Sequence, residues 1–164
     1  METSSLGRVF DAVAAMLGLG SYNHFDAQLP MALEAAVSVG VNESYEFEII
    51  NTTGNVHYIN FDRMFRGIVS DIKNSLDAGI ISAKFHNTIA EAMLKLAMLT
   101  RQQTGINITA LSGGVFCNRY LINRLIELLE QAGFTVLFNR LVPSNDGGIS
   151  LGQAAIAAHI LNHK

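Results

Sequence analysis

Apolar residues recur along this chain in helical stretches first and in strand-like runs later. Leu6, Val9, Phe10, Val13, Ala14 and Leu17 fall at helical spacing and predict an amphipathic helix. Ser4 or Ser5 suits its start, and Gly18 and Gly20 suit its end. Pro30 fits the first turn of a second helix, running to about Val39 and carrying Met31, Leu33, Ala35 and Ala36. Tyr45–Ile50 and Val56–Phe61 flank the turn residues Asn51-Thr-Thr-Gly54-Asn55 and predict a hairpin. Helical patterns cover about Asp62–Leu76 and Ser82–Thr104, separated by Asp77-Ala-Gly79. The second is long and rich in Ala, Leu and Met, the signature of a central buried helix.

From there the rhythm changes. Ile106–Leu111 is a short apolar run between Gly105 and Gly113-Gly114, which predicts a buried strand. Asn118–Gln131 reads as a helix stopped by Gly133, and Phe134–Phe138 as a second strand. A loop, Pro143-Ser-Asn-Asp-Gly-Gly148, then leads into a last helix, Ile149–Leu161. Strand, helix, strand, helix implies a parallel pair with a crossover helix, the α/β class.

The chain has 164 residues, 49% of them hydrophobic and 15% charged. That length suits one domain of roughly 100–200 residues with a sizeable core, and excludes intrinsic disorder. The net charge of −3 offers no basic face for a nucleic acid. So little charge, with a mean hydropathy of +0.28, points to surface that something else normally covers. A single cysteine, Cys117, excludes an internal disulfide framework and fits a reducing compartment. No apolar run reaches the roughly 18 residues of a membrane span, and Met1–Gly7 is not built like a signal peptide. A cytoplasmic location is expected.

Three places could carry chemistry. Ser112-Gly113-Gly114-Val115 lies between a strand and a helix, where glycines let the backbone approach a ligand and the helix start attracts an anion. Asn118 could bond a ribose or a base edge there, or simply cap a tight turn. Ser144-Asn145-Asp146-Gly147-Gly148 follows the other strand, so both loops fall on one edge of the parallel pair, where open α/β sheets bind ligands. Asp146 suits a hard cation, or serves as an N-cap followed by glycines at positive φ. Asp11 lies off the apolar stripe of the first helix, on a face of small residues, Gly7, Ala14 or Ala15, and Gly18. It needs a partner, and Arg8 three residues earlier could be that partner.

Other groups carry less. His159 and His163 are spaced for a metal on one helix face but have no third ligand near in sequence. Cys117 reads as a packing cysteine, and His86 as structural, with Asn87 and Thr88 beside it. His24 and Asp26, in the loop before Pro30, could reach a ligand.

Four blocks, in order, carry a resemblance. They are Thr3-Ser-Ser-Leu-Gly-Arg-Val-Phe-Asp-Ala-Val-Ala-Ala-Met-Leu-Gly18, His24-Phe-Asp-Ala-Gln28, Leu111-Ser-Gly-Gly-Val115 with Asn118-Arg119, and Val142-Pro-Ser-Asn-Asp-Gly-Gly-Ile-Ser-Leu-Gly-Gln153. Together they resemble the C-terminal part of the HypF family of carbamoyltransferases, which mature [NiFe] hydrogenases. The resemblance runs from about Thr3 to His159 and implies the C-terminal lobe of an ASKHA fold (the actin, Hsp70 and sugar-kinase superfamily) with added N-terminal helices. This is the half related to the tRNA threonylcarbamoyltransferases.

The resemblance further implies ATP and carbamoyl-adenylate as ligands, and transfer of the carbamoyl group to the C-terminal cysteine of a HypE-type partner, where dehydration makes a cyanide-ligand precursor. Asp11 would contact the nucleotide ribose, Gly113, Gly114 and Asn118 would line the nucleotide pocket, and Asp26 would stand at its rim. Asp146 would ligate a divalent metal, Fe, Zn or Mg. Two departures qualify this. Many relatives place glycine after the acidic residue where this chain has Ala27, and the family's metal-binding His-x-x-x-His is absent, as are its other domains. Residues 1–164 are therefore expected to be one lobe of a larger protein, inactive in transfer alone, partnered by the other domains and prone to self-associate. The rival readings are a non-catalytic interaction module and a lobe of a related tRNA-modifying transferase.

Overall fold

A computed structural model describes residues 5–51 and 56–162. Ser4, the hairpin turn at 52–55 and His163 lie outside the described residues. Helix α1 (Leu6–Met16) follows the predicted stripe, burying Phe10, Val13 and Ala14, and Ser5 occupies its N-cap position. Helix α2 spans Gln28–Ala35 and buries Leu29 and Leu33. It stops short of the expected Val39 because the Ser38 amide leaves the helix to donate to the Gly79 carbonyl, 3.0 Å away. Glycine is needed at 79, since a Cβ there would run into the Ala36 carbonyl.

The predicted hairpin forms as β1 (Glu48–Asn51) against β2 (His57–Asn60), antiparallel, with Glu48 opposite Asn60. Tyr45 stays outside the strand. Its amide donates to Thr88 Oγ1 and its hydroxyl to Asp71, 2.7 Å away, while its ring packs on Gly67. Lys84 pairs with the same Asp71 and stands 4.3 Å over the Tyr45 ring. Burial and the neighbouring carboxylate both hold the Tyr45 hydroxyl in its protonated form, well above the usual phenol range.

Helices α3 (Asp62–Lys73) and α4 (Ala78–Thr104) follow, α4 being capped by Asp77, whose side chain accepts from the Gly79 amide. Its first half is the centre of the molecule. Ile81, Ala83, Phe85, Ile89, Ala90 and Ala92 are buried there, and Phe85 meets Phe10 edge-on at 4.8 Å. Each buried polar neighbour on α4 has a partner, as low-dielectric surroundings require. Ser82 Oγ donates to the Leu33 carbonyl, Asn87 to the carbonyls of Val41 and Glu43, and Thr88 to that of Lys84.

Strand β3 (Ile108–Leu111), helix α5 (Arg119–Gln131) and strand β4 (Thr135–Phe138) form the expected unit, the strands parallel with Leu111 opposite Phe138. Leu121, Leu125 and Leu129 of α5 are buried, and α5 packs on α4. The strands are less buried than the apolar run suggests. Leu111 is 5% exposed, but Ile106 and Ile108 stand more than half open, because the sheet has only two strands among the described residues. Helix α6 (Ile149–Asn162) closes the chain with every residue exposed. Among the described residues no helix is long and apolar enough to cross a membrane.

Candidate functional site

The parallel register brings the carboxyl ends of β3 and β4 to one edge, and hydrogen bonds stitch the two following loops together. The Gly113 amide donates to the Ser144 carbonyl at 2.9 Å, and Ser144 Oγ donates back to the Gly113 carbonyl at 3.1 Å. Cys117 Sγ lies 3.6 Å from the same hydroxyl. That cysteine is exposed rather than packed, since a short 3₁₀ turn, Gly114–Cys117, lifts it clear of the core before α5 begins.

Gly113 has φ +107, a conformation that favours glycine. A Cβ at Gly113 or Gly114 would meet nothing within 4 Å, so the backbone there is open to an approaching molecule. The glycines of the second loop serve another purpose. Neither Gly147 nor Gly148 has positive φ, but a Cβ on either would crowd Pro143 at 3.0 Å. The loop's cap is Asn145, whose side chain accepts from the Gly147 amide, so Asp146 is free of capping and exposed at the first position of the Asp146–Gly148 turn.

Asn118 faces inward. Its Oδ1 accepts from the Leu121 amide at 2.8 Å, capping α5, and its Nδ2 donates to His86 Nε2 at 2.9 Å. His86 Nδ1 donates to the Ser82 carbonyl at 2.8 Å, which fixes the tautomer. Burial lowers the His86 pKa from its ordinary value to about 4, because the protonated ring would be stranded in the core. Glu34 completes this end of α5. Its Oε1 accepts from the amides of Arg119, at 2.7 Å, and Tyr120, at 3.3 Å.

Asp11 finds its partner across the chain, not in Arg8. Asn23 Nδ2 donates to Asp11 Oδ1 at 3.0 Å, while Asn23 Oδ1 accepts from the Leu29 amide at 2.8 Å. Gly7, Arg8, Asp11, Asn23 and Asp26 line an open cavity of about 510 Å³. Ala27, beside Asp26, has φ +59, a left-handed conformation that costs a residue with a Cβ about 1–2 kcal/mol. That is the position where the resemblance expects glycine.

The predicted residues thus form two groups. Asp11 and Asp26 share the cavity beside α1 and α2, whereas Gly113, Gly114 and Asp146 share the loop edge, with Asn118 directly behind. The 3₁₀ turn at Gly114 packs against α1, which makes the groups neighbours, but the cavity lining includes none of the loop glycines. Among the described residues no three of His, Cys, Asp and Glu gather to hold a metal, so Asp146 offers one carboxylate and no complete site. Reasoning from the sequence missed Asn23 and Glu34. Both act through hydrogen bonds to distant or folded-back segments, which leave no local signal.

Residues 1–153 match the family model described as carbamoyltransferase, Kae1-like domain, second subdomain, the class that this α/β lobe and its paired loops define. The carbamoyltransferase HypF of Synechocystis sp. is 34% identical over 151 residues, which is 92% of this chain and 19% of that protein. A crystal structure of full-length HypF in the phosphate- and nucleotide-bound form superposes with a TM-score of 0.86 at 47% identity, over 96% of this chain and 21% of that one. A tRNA N6-adenosine threonylcarbamoyltransferase of Clostridioides difficile is 25% identical over 142 residues, or 74% of this chain. The chain belongs to the HypF carbamoyltransferase family, and it spans about a fifth of the length of the two HypF proteins just described.

Proposed function

We propose that this chain supplies one wall of the nucleotide site of a cytoplasmic carbamoyltransferase. The complete enzyme would move a carbamoyl group from carbamoyl-adenylate to the C-terminal cysteine of a HypE-type partner, on the route to the cyanide ligand of [NiFe] hydrogenases. In that step the cysteine thiol gives up its proton to solvent, its sulfur forms a bond to the carbamoyl carbon, and the carbon–oxygen bond to AMP breaks, with AMP taking the electron pair. The observation that carries the reading is the stitched loop edge, with open space above the backbone of Gly113 and Gly114. It occurs in a chain that superposes at a TM-score of 0.86 on a relative holding phosphate and nucleotide.

Each residue then has a task. Asp11, oriented by Asn23, accepts a ribose hydroxyl, and Asp26 stands at the rim of the same cavity. Gly113 and Gly114 bring backbone close to the nucleotide, while Asn118 works from behind by holding the start of α5. Asp146 contributes one oxygen ligand to a divalent metal, Fe, Zn or Mg, whose other ligands come from other segments of the longer enzyme. Such an ion, when bound, supplies Lewis-acid polarisation of a carbamoyl or phosphate oxygen. Positioning is the work left to this lobe.

Calorimetric titration with a non-hydrolysable ATP analogue tests the reading. Binding should be measurable and should weaken at least about tenfold in Asp11→Ala, the loss of one charged hydrogen bond. Affinity unchanged by that substitution would favour the second reading, an interaction module, for which the exposed apolar residues of α6 speak. The 164 residues alone are expected to give no carbamoyl transfer to a cysteine peptide.

A further inference from the structure

The two groups of site residues sit on different elements, Asp11 and Asp26 beside α1 and α2, Gly113 and Gly114 between β3 and α5. One short helix touches both. The amino-terminal end of α2 shapes the cavity. Ala27 and Pro30 line it, and the Leu29 amide holds Asn23, which in turn holds Asp11. The carboxyl-terminal end of α2 carries Glu34, which grips the first two amides of α5, eighty-five residues further along the chain.

Glu34 is oddly placed for α2 itself. A carboxylate in the last turn of a helix faces the negative end of that helix's dipole, where a basic residue would be favoured, and α2 has none there. Against α5 the same carboxylate is at the favourable, amino-terminal end and satisfies two amides that a helix start leaves unpaired. It also fills the spot where an external anion would otherwise be drawn, leaving the glycine loop as the open backbone. Asn118 caps the same turn from the side of α4 through His86, so the start of α5 is fastened to α2 and α4 at once.

We infer that Glu34 is a positioning residue of the nucleotide site, setting the glycine loop at a fixed place relative to the Asp11 cavity by clamping the start of α5 to α2. The inference rests on the nucleotide reading above. It differs from a plain capping role in requiring that Glu34, which is not among the residues lining the Asp11 cavity, control ligand affinity.

Glu34→Ala and Glu34→Gln in the isotope-labelled chain test it. Without nucleotide, Glu34→Ala should speed hydrogen exchange at Arg119 and Tyr120 and shift the amide resonances of Gly113 and Gly114. Glu34→Gln keeps a carbonyl acceptor and should leave all four near wild type. With the ATP analogue, Glu34→Ala should bind on the order of tenfold more weakly with an unchanged circular-dichroism spectrum, and Glu34→Gln should recover to within about twofold. Wild-type affinity in Glu34→Ala, or a Glu34→Gln variant as weak as Glu34→Ala, would overturn the inference. If the wild-type chain binds no analogue, the nucleotide reading fails. Unshifted glycine resonances in Glu34→Ala would then sink the clamp as well, and shifted ones would sustain it as a fastening of the loop.

Discussion

Helices α4 and α6 are both long and both rich in Ala, Leu and Ile, yet one is the centre of the molecule and the other lies bare. Ile81, Phe85 and Ile89 of α4 are at most 1% exposed, whereas Ile149, Leu151, Ile156 and Ile160 of α6 are each more than half exposed. The difference lies in what accompanies the apolar residues. The first half of α4 interleaves them with Ser82, His86, Asn87 and Thr88, tied to Leu33, Asn118, Val41 and Tyr45 respectively, so the helix is fixed from several sides at once. Helix α6 packs on the turn that starts it, Asp146–Gly148, and keeps its apolar residues in the open. Apolar composition states a demand for burial. Polar residues with distant partners show where the chain itself meets that demand. The accessible surface of 10398 Å², against about 8,000 Å² for an ordinary folded monomer of this mass, is the same imbalance seen as area.

Three experiments could break this contrast. The largest effect belongs to the α4 core. Phe85→Ala should cost about 3–5 kcal/mol in urea unfolding, while Ile156→Ala in α6 should cost under about 0.5 kcal/mol. Comparable losses at the two sites would mean that α6 is buried in solution. Next comes pH. His86 has a folded-state pKa of about 4, below the ordinary 6.5, so the unfolded chain takes up the proton first as pH falls. The stabilisation is complete above about pH 6.5 and is lost progressively down to about pH 4, on the order of 3 kcal/mol in all. A His86→Gln variant should lack that slope, and an equally steep loss in the variant would place the proton elsewhere. The smallest change in stability is expected from Ile156→Glu combined with Ile160→Glu, within about 0.5 kcal/mol of wild type. If bare α6 drives self-association, light scattering should find wild type associated at high concentration and the double variant monomeric. A monomeric wild type would remove α6 as a sticky face.

Patterns confined to a few neighbouring residues are readable in the sequence. The stripe of α1, the hairpin strands and the strand–helix–strand order with its parallel pairing all follow from local spacing. So does the convergence of the Gly113 and Ser144 loops, which is a consequence of parallel pairing. What could not be read depends on segments far apart. The early end of α2 is set by Gly79, the clasp on Asp11 by Asn23, and the cap on α5 by Glu34. Exposure depends on distant segments in the same way. Cys117 and strand β3 look apolar enough to be buried, but burial needs a covering element, which no local pattern can promise. The Ala27 position is an intermediate case. The resemblance marked it as unusual, and only the backbone angle supplies the reason, a left-handed residue carrying a Cβ.

In the proposed site the glycine-loop edge and the Asp11 cavity together form one wall around the nucleotide. Titrating the isotope-labelled chain with a non-hydrolysable ATP analogue, and following amide resonances, tests it most directly. Concerted shifts are expected at Gly113, Gly114, Asp11 and Asp26, saturating with a single affinity. Resonances that stay still at all four, or that move only around a second cavity, lined by Ser44, Tyr45, Glu46, Phe47, Arg63 and Glu91, would overturn it.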